Sequence, residues 1–257
     1  MLTTPRPEGF LAAAIAIAFA AWALRWLTPD GAVAAALVGG AIALFGGIRW
    51  VAALFAFFAT GTLLTLLGRR RKTQPEHRGR GRTAWQVAGT GGVAAVITML
   101  WGAGVGPGAV REVLPAAFLG ALAAAAADTW SAEIGMLSPH PPRMITTWAL
   151  VPAGISGGVT VAGSLAGVAG AVLVAAVGTS EARTCTAAWV AGVLAMFLDS
   201  VLGATIQATF RRPNGGIVED PAGAEPLRGI PWVTNPVVNL FATAGGALLA
   251  AGLVRLL

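Results

Sequence analysis

The sequence predicts an all-α fold, a polytopic transmembrane helical bundle of about seven to eight spans, and three observations carry that prediction. Apolar residues make up 56% of the 257-residue chain and charged residues only 11%, with a mean hydropathy of +0.75, against roughly 25% charged in an ordinary soluble domain. Several apolar stretches reach the roughly 20 residues that a helix needs to cross a hydrocarbon core about 30 Å thick. These stretches are runs of Ala, Leu, Val and Gly without period-2 alternation, which sets aside a membrane barrel.

Eight spans follow in order, at about 9–27, 31–47, 48–67, 86–105, 112–136, 157–178, 184–209 and 235–256. The first is read as a retained helix, because Trp22, Arg25, Trp26 and Pro29 do not resemble a small-residue cleavage site. The second carries Gly39, Gly40, Gly46 and Gly47 and is expected to be short or re-entrant. In the fifth and sixth, Gly120 followed by an alanine-rich run, and the spacing Gly163-x-x-x-Gly167-x-x-Gly170, offer small faces for close helix contact. Trp50, Trp101 and Trp232 fall near span ends and are expected to be interfacial anchors. The whole chain, 1–257, reads as a single membrane domain.

Orientation comes from the basic residues. The loop 69–84 holds Arg69, Arg70, Arg71, Lys72, Arg78, Arg80 and Arg82, seven of the seventeen Lys/Arg, and so is expected in the cytoplasm. Counting outward from it places loops 137–156 and 210–234 on the same side. Arg6, Arg49, Arg111, Arg183 and Arg255 are then the only five basic residues on the other side. This topology accounts for the net charge of +6 without nucleic acid, which is not expected as a partner. Cys185 is the single cysteine, and His77 and His140 lie in loops, so neither a disulfide within the chain nor a His-rich zinc site is expected.

Charges inside apolar helices are the informative residues, because a carboxylate at mid-bilayer costs several kcal/mol unless it is paired or lines a wet cavity. Asp128 and Glu133 close the fifth span and Asp199 lies in the inner half of the seventh. All three approach the expected cytoplasmic face. Each could instead pair with an arginine such as Arg143 and merely fix helix packing. Other polar residues gather on the same face: Thr129 and Ser131 beside Asp128; Arg143, Thr146 and Thr147; and Ser156-Gly157-Gly158, read as a turn that opens the sixth span. A helix start leaves N–H groups unpaired and favours anions, which suits a phosphate. Gln207 stands near the end of the seventh span, after Asp199, Ser200 and Gly203, and Asn235 and Asn239 stand at i and i+4 on one face of the eighth. Carboxylates, an arginine and a glycine turn together suggest Mg2+ held by oxygen ligands and bridging nucleotide phosphates. No Walker motif or kinase glycine loop is present, and Lys72 is the only lysine, so a kinase here is of another kind.

Five ordered segments, Ala127-Asp-Thr-Trp-Ser-Ala-Glu-Ile-Gly135, Pro142-Arg-Met-Ile-Thr-Thr147, Val151-Pro-Ala-Gly-Ile-Ser-Gly-Gly-Val159, Asp199-Ser-Val-Leu-Gly-Ala-Thr-Ile-Gln207 and Asn235-Pro-Val-Val-Asn-Leu240, resemble the integral membrane family that includes animal transmembrane protein 19 and plant phytyl-phosphate kinase. The resemblance extends from about residue 30 to the end. It implies a CTP-dependent kinase that converts an isoprenoid monophosphate, phytyl or geranylgeranyl phosphate, to the diphosphate at the cytoplasmic face of the cell membrane. Isoprenyl phosphate lipid, nucleoside triphosphate and membrane lipids are the implied partners. By motif position, Asp128, Glu133 and Asp199 become metal or nucleotide residues for Mg2+ and CTP, with Arg143 as a further catalytic group. Thr129, Thr146, Thr147, Ser156, Gly157 and Gly158 become nucleotide and phosphate contacts, and Gln207, Asn235 and Asn239 positioning groups. The rival readings are an isoprenoid alcohol kinase, a lipid cytidylyltransferase, and a small-molecule or lipid transporter.

Overall fold

A computed structural model describes residues 7–68, 81–213, 215–219 and 222–257. Among the described residues eight long helices form: α1 (Pro7–Ala23), α2 (Pro29–Phe45), α3 (Gly47–Gly68), α4 (Ala84–Gly102), α6 (Leu114–Gly135), α7 (Val161–Gly178), α8 (Ala182–Thr205) and α9 (Asn235–Leu256), with one short turn, α5 (Gly108–Arg111), between α4 and α6. Six of them, α3, α4, α6, α7, α8 and α9, are long and apolar enough to cross a membrane; α1 and α2 are shorter apolar helices. The expected α-helical bundle is therefore the observed architecture, with its span edges displaced by only a few residues.

The second segment is short, as expected, but it is not re-entrant. It is one uninterrupted helix of 17 residues, and its central glycines are contact points rather than breaks. An added Cβ at Gly39 would stand 3.3 Å from the Cβ of Ala14, and one at Gly40 would stand 3.1 Å from Leu11. Lack of a side chain lets α1 and α2 approach closely. The chain reverses just beyond, at Gly47, whose φ of +75° is a conformation that glycine adopts without steric cost.

α6 is the hub, packed against α3, α4, α7, α8 and α9. Every residue from Ala116 to Ala127 is buried, as expected of a helix apolar on all sides. Small residues make that possible. Gly167 and Gly170 of α7 lie over the backbone of Ala127 and Ala126, Gly192 of α8 lies over Ala123, and Gly120 of α6 itself meets Gly246 and Ala250 of α9. At the far end of the bundle Trp50 stacks on Phe118, ring centroids 4.1 Å apart. Trp50 is buried and so belongs to the core, not to the interfacial ring assigned to it from sequence. Trp232 is exposed.

Successive helices alternate in direction, so the connections at 24–28, 81–83, 136–160 and 206–234 share one face. Contacts across the bundle fix this: Thr28 N–H donates to the carbonyl of Arg82 at 3.1 Å, and Thr65 near the end of α3 meets Glu133 near the end of α6. Two long connections on this face carry small antiparallel sheets. β1 (Arg143–Met144) pairs with β2 (Gly158–Val159), while β3 (Thr209–Arg211) lies between β4 (Ile217–Val218) and β5 (Glu225–Arg228). Arg228 anchors the second sheet to the bundle by donating to the carbonyls of Ala204 and Gly203 at the end of α8. This supplies acceptor-seeking charge where a helix C-terminus needs it. The residues 69–80, which hold six of the seven cations of the basic loop, lie outside the described residues.

Candidate functional site

The last two turns of α6 set the floor of a cavity of about 260 Å³ on this face. Asp128, Ser131, Ala132, Gly135 and Met136 all line it, at spacings of three, four, seven and eight that keep them on one stripe of the helix. Asp199 and Ser200 of α8 and Asn235 at the start of α9 form the opposite wall, and residues 153–158 with Glu219 cover the top. Half of the lining residues carry a side-chain oxygen.

Asp199 is buried and held by α9. With its amide oriented so that nitrogen faces the acceptors, Asn239 donates to Asp199 Oδ2 at 2.9 Å and to the Asn235 carbonyl at 3.3 Å. The i, i+4 amide pair of the sequence thus divides its work: Asn235 faces the cavity and Asn239 orients a carboxylate. Asp199 also lies within electrostatic range of Asp128 and Glu219. Like charges gathered this closely call for a cation or for groups that donate hydrogen bonds.

The loop above is fixed by a relay of side chains. Gln207, 1% exposed, donates to Ser156 Oγ at 3.0 Å, and Ser156 donates to Glu219. Glycines make room, since a Cβ on Gly157, which has a φ of +85°, would lie 2.8 Å from the backbone nitrogen of Ala204. The Ser156-Gly157-Gly158 turn, however, does not open a helix. Gly158 enters β2, its N–H is used on Ile155 O at 3.0 Å, and α7 begins only at Val161, capped by the Thr160 hydroxyl, which accepts from Gly163 N–H at 3.0 Å. A phosphate cradle made of helix-start N–H groups at Ser156–Gly158 is therefore not what forms. A turn-strand-cap sequence forms instead, because Thr160 is the better N-cap.

Arg143 is the second departure. It is exposed, its guanidinium donates to the Trp148 carbonyl at 2.9 Å within its own hairpin, and it does not line the cavity. Thr146 and Thr147 on the same hairpin are exposed too, and Thr129 turns its methyl toward Gly61 of α3. The arginine that meets the carboxylates is Arg82, which interacts with both Glu133 and Asp128. Burial pushes its guanidinium down from the ordinary arginine range and the two carboxylates push it back up; an arginine stays charged through shifts of this kind. Its backbone is pinned by Trp26 and Thr28: Arg82 N–H donates to Trp26 O at 2.9 Å and its carbonyl accepts from the Thr28 hydroxyl at 3.1 Å. Asp30 completes this corner by accepting from Ala84 N–H at 2.8 Å. Glu133 accepts from the Thr65 hydroxyl at 2.7 Å.

Sequence reasoning missed Arg82, which was counted only as part of a charge run. Its signal was position: it immediately precedes Thr83, which with Gln86 forms a capping box, so its side chain starts at the membrane boundary beside the end of α6. Glu219 and Thr65 were missed as well, and an isolated polar residue has no signal without its partner.

Among the described residues no three acidic, histidine or cysteine side chains converge into a ready-made metal cage, so Asp128, Glu133 and Asp199 do not jointly form one. The donor chemistry does fit a sparser arrangement. Mg2+ is commonly held by one or two carboxylates, with water and substrate phosphate oxygens completing the shell, and Asp128 and Asp199 face one cavity from two helices.

Comparison with known proteins adds the following. A family model described as integral membrane protein DUF92 matches residues 12–247. Protein PGR of Arabidopsis thaliana is 31% identical over 252 residues, 87% of each chain. An uncharacterized membrane protein of Methanocaldococcus jannaschii is 27% identical over 186 residues, 71% of this chain and 76% of its own. Protein VTE6, chloroplastic, also of Arabidopsis thaliana, is 25% identical over 249 residues, 94% of this chain and 64% of its own. No solved structure matches.

Proposed function

The chain belongs to the integral membrane protein DUF92 family, and from that premise we propose that it is a CTP-dependent kinase of an isoprenoid monophosphate, making the diphosphate at the cytoplasmic face of the membrane. The observation that carries this reading is the confrontation of Asp128 and Asp199, from two different helices, across one polar cavity that Glu219 also lines, with Arg82 interacting with the Asp128 and Glu133 of its wall. The five motifs that resemble the phytyl-phosphate kinase family supply most of that lining, and the likeness to VTE6 over 94% of the chain supports the same direction. The cluster of basic residues in 69–84 supports the cytoplasmic orientation.

The reaction asks little covalent chemistry of the protein. An oxygen of the acceptor monophosphate forms a bond to the γ-phosphorus of CTP while the bond from that phosphorus to the β–γ bridging oxygen breaks, and the electron pair leaves with CDP. The acceptor oxygen is already largely ionised near neutral pH, so no strong base is required, and positioning and charge neutralisation carry the rate. Asp128 and Asp199 are the residues that would hold Mg2+, which would supply charge neutralisation to the phosphate oxygens of the nucleotide. Asn239 holds Asp199 in place for that task, Arg82 offsets the negative charge of Asp128 and Glu133, and Asn235, Ser131 and Ser200 offer hydrogen bonds inside the cavity.

The test is reconstitution with phytyl phosphate, geranylgeranyl phosphate or phytol, using CTP labelled either at the γ-phosphate or in the base. Transfer of the γ label to a lipid monophosphate is the expected result. Transfer only to the free alcohol, or transfer of the base label to lipid, would replace this reaction by alcohol phosphorylation or cytidylyl transfer, and no labelled lipid at all would remove it.

A further inference from the structure

A second cavity, of about 300 Å³, lies among α1, α2, α3 and α4, and it differs from the first in chemistry. Its walls are Phe, Leu, Ile, Val, Ala and Gly, with Thr90 and Arg82 as the two polar contributors. The size reaches the lower end of the roughly 300–1,000 Å³ typical of small-molecule sites. Ile17, Ile48 and Phe55 of its lining are exposed apolar side chains on α1 and α3, and such side chains on a membrane-spanning bundle face lipid tails. Arg82 is the junction. The same residue that lines this apolar cavity interacts with Asp128 and Glu133, both of which line the polar one.

A cation at the end of a hydrocarbon-lined recess is complementary to an amphiphile with an anionic head. A guanidinium has five N–H donors, enough to serve carboxylates and a phosphate together. Resting on the kinase reading for the identity of the lipid, we infer that this cavity receives the isoprenoid chain of the acceptor, entering from the bilayer between α1 and α3, and that Arg82 holds its phosphate at the border of the nucleotide cavity. The corner formed by Trp26, Thr28 and Asp30 fixes the Arg82 backbone, which gives the head group a defined stopping point. A chain anchored there runs along α2 and α3 with its tail toward the membrane.

The inference is tested by binding, independently of turnover. The full chain in nanodiscs is irradiated with a geranylgeranyl monophosphate analogue carrying a diazirine on its terminal isoprene unit, and the labelled residues are identified by mass spectrometry. Labels on α1, α2 or α3 around Val38 and Phe55, competed by unlabelled geranylgeranyl phosphate, are expected. Ala35→Phe and Ala52→Phe, which fill the cavity from α2 and α3, should each reduce that labelling by roughly tenfold or more. Arg82→Lys keeps the charge but loses the planar fork, and should weaken labelling by a lesser factor than Arg82→Gln. Labels confined to the outer surfaces of α7 to α9, or insensitivity to both filling variants, would overturn the inference. Equal competition by phosphatidic acid would also overturn it, since the cavity would then be a general lipid-phosphate site. Labelling as expected in a protein that transfers no phosphate from CTP would leave this cavity standing and remove the kinase; phosphate transfer with labels elsewhere would do the reverse.

Discussion

Asn239 reaches from α9 to Asp199 on α8, its amide nitrogen 2.9 Å from Oδ2, and so ties the orientation of a buried carboxylate to the packing of a neighbouring helix. Replacing Asn239 with Leu removes the donor and leaves Asp199 buried without it. The expected cost is about 1–3 kcal/mol in stability, read as a lowered midpoint of thermal unfolding in detergent, together with reduced transfer of phosphate from CTP. An unchanged midpoint and unchanged rate would show that the contact is dispensable.

Asp128→Asn and Asp199→Asn each remove one negative charge from the cavity while preserving shape. Turnover should fall by roughly a hundredfold or more, whereas circular dichroism and elution as a single species should match the parent chain. Full activity in either variant would remove that residue from the site.

The two arginines offer a sharp contrast. Arg82→Met leaves Asp128 and Glu133 without their cation and should destabilise by about 3 kcal/mol or more, and it should abolish turnover. Arg143→Met removes only a bond to the Trp148 carbonyl on an exposed hairpin, and should change stability by no more than about 0.5 kcal/mol. Thermal unfolding of the two variants side by side decides the matter, and a larger loss for Arg143 would contradict the assignment.

Thr65→Val deletes the hydroxyl that donates to Glu133 Oε1 at 2.7 Å. A loss of about 1–3 kcal/mol is expected, and Thr65→Ser, which keeps the hydroxyl, should recover most of it. No recovery by serine would mean that packing of the methyl, not the hydrogen bond, matters there.

Helix proximity can be probed with two glycines. A side chain at Gly192 would meet Ala123, Cβ to Cβ 2.7 Å apart, whereas Gly252 has open space within 4 Å. Gly192→Leu should therefore cost about 1–3 kcal/mol or prevent assembly of the bundle, and Gly252→Leu should be tolerated. Yield and thermal unfolding of both proteins provide the measurement.

The spans were legible because length and hydropathy are properties of a single segment. The face on which Asp128, Glu133 and Asp199 meet was legible for a related reason, since counting turns from a basic loop assigns every connection to one side. What could not be read depends on where particular atoms end. Arg143 and Arg82 both sit in polar connections on that face, but Arg143 satisfies a carbonyl in its own hairpin while Arg82 is directed inward by the α1–α2 corner. The Ser156–Gly158 turn resembled a helix start because Val161 follows so soon; the cap was Thr160. Trp50 was assigned to the interface by its position near a span end, and its ring instead found Phe118. The central glycines of α2 were taken for weakness when their absent side chains were the means of contact with α1.

α6 is enclosed by five helices and its middle has no surface of its own. Bilayers of different thickness tilt or stretch the helices that touch them, and the buried middle of this one is shielded from such contact. The two acids near its end are thereby insulated from the composition of the surrounding membrane, while α1 and α2, short and peripheral, are left to absorb the mismatch.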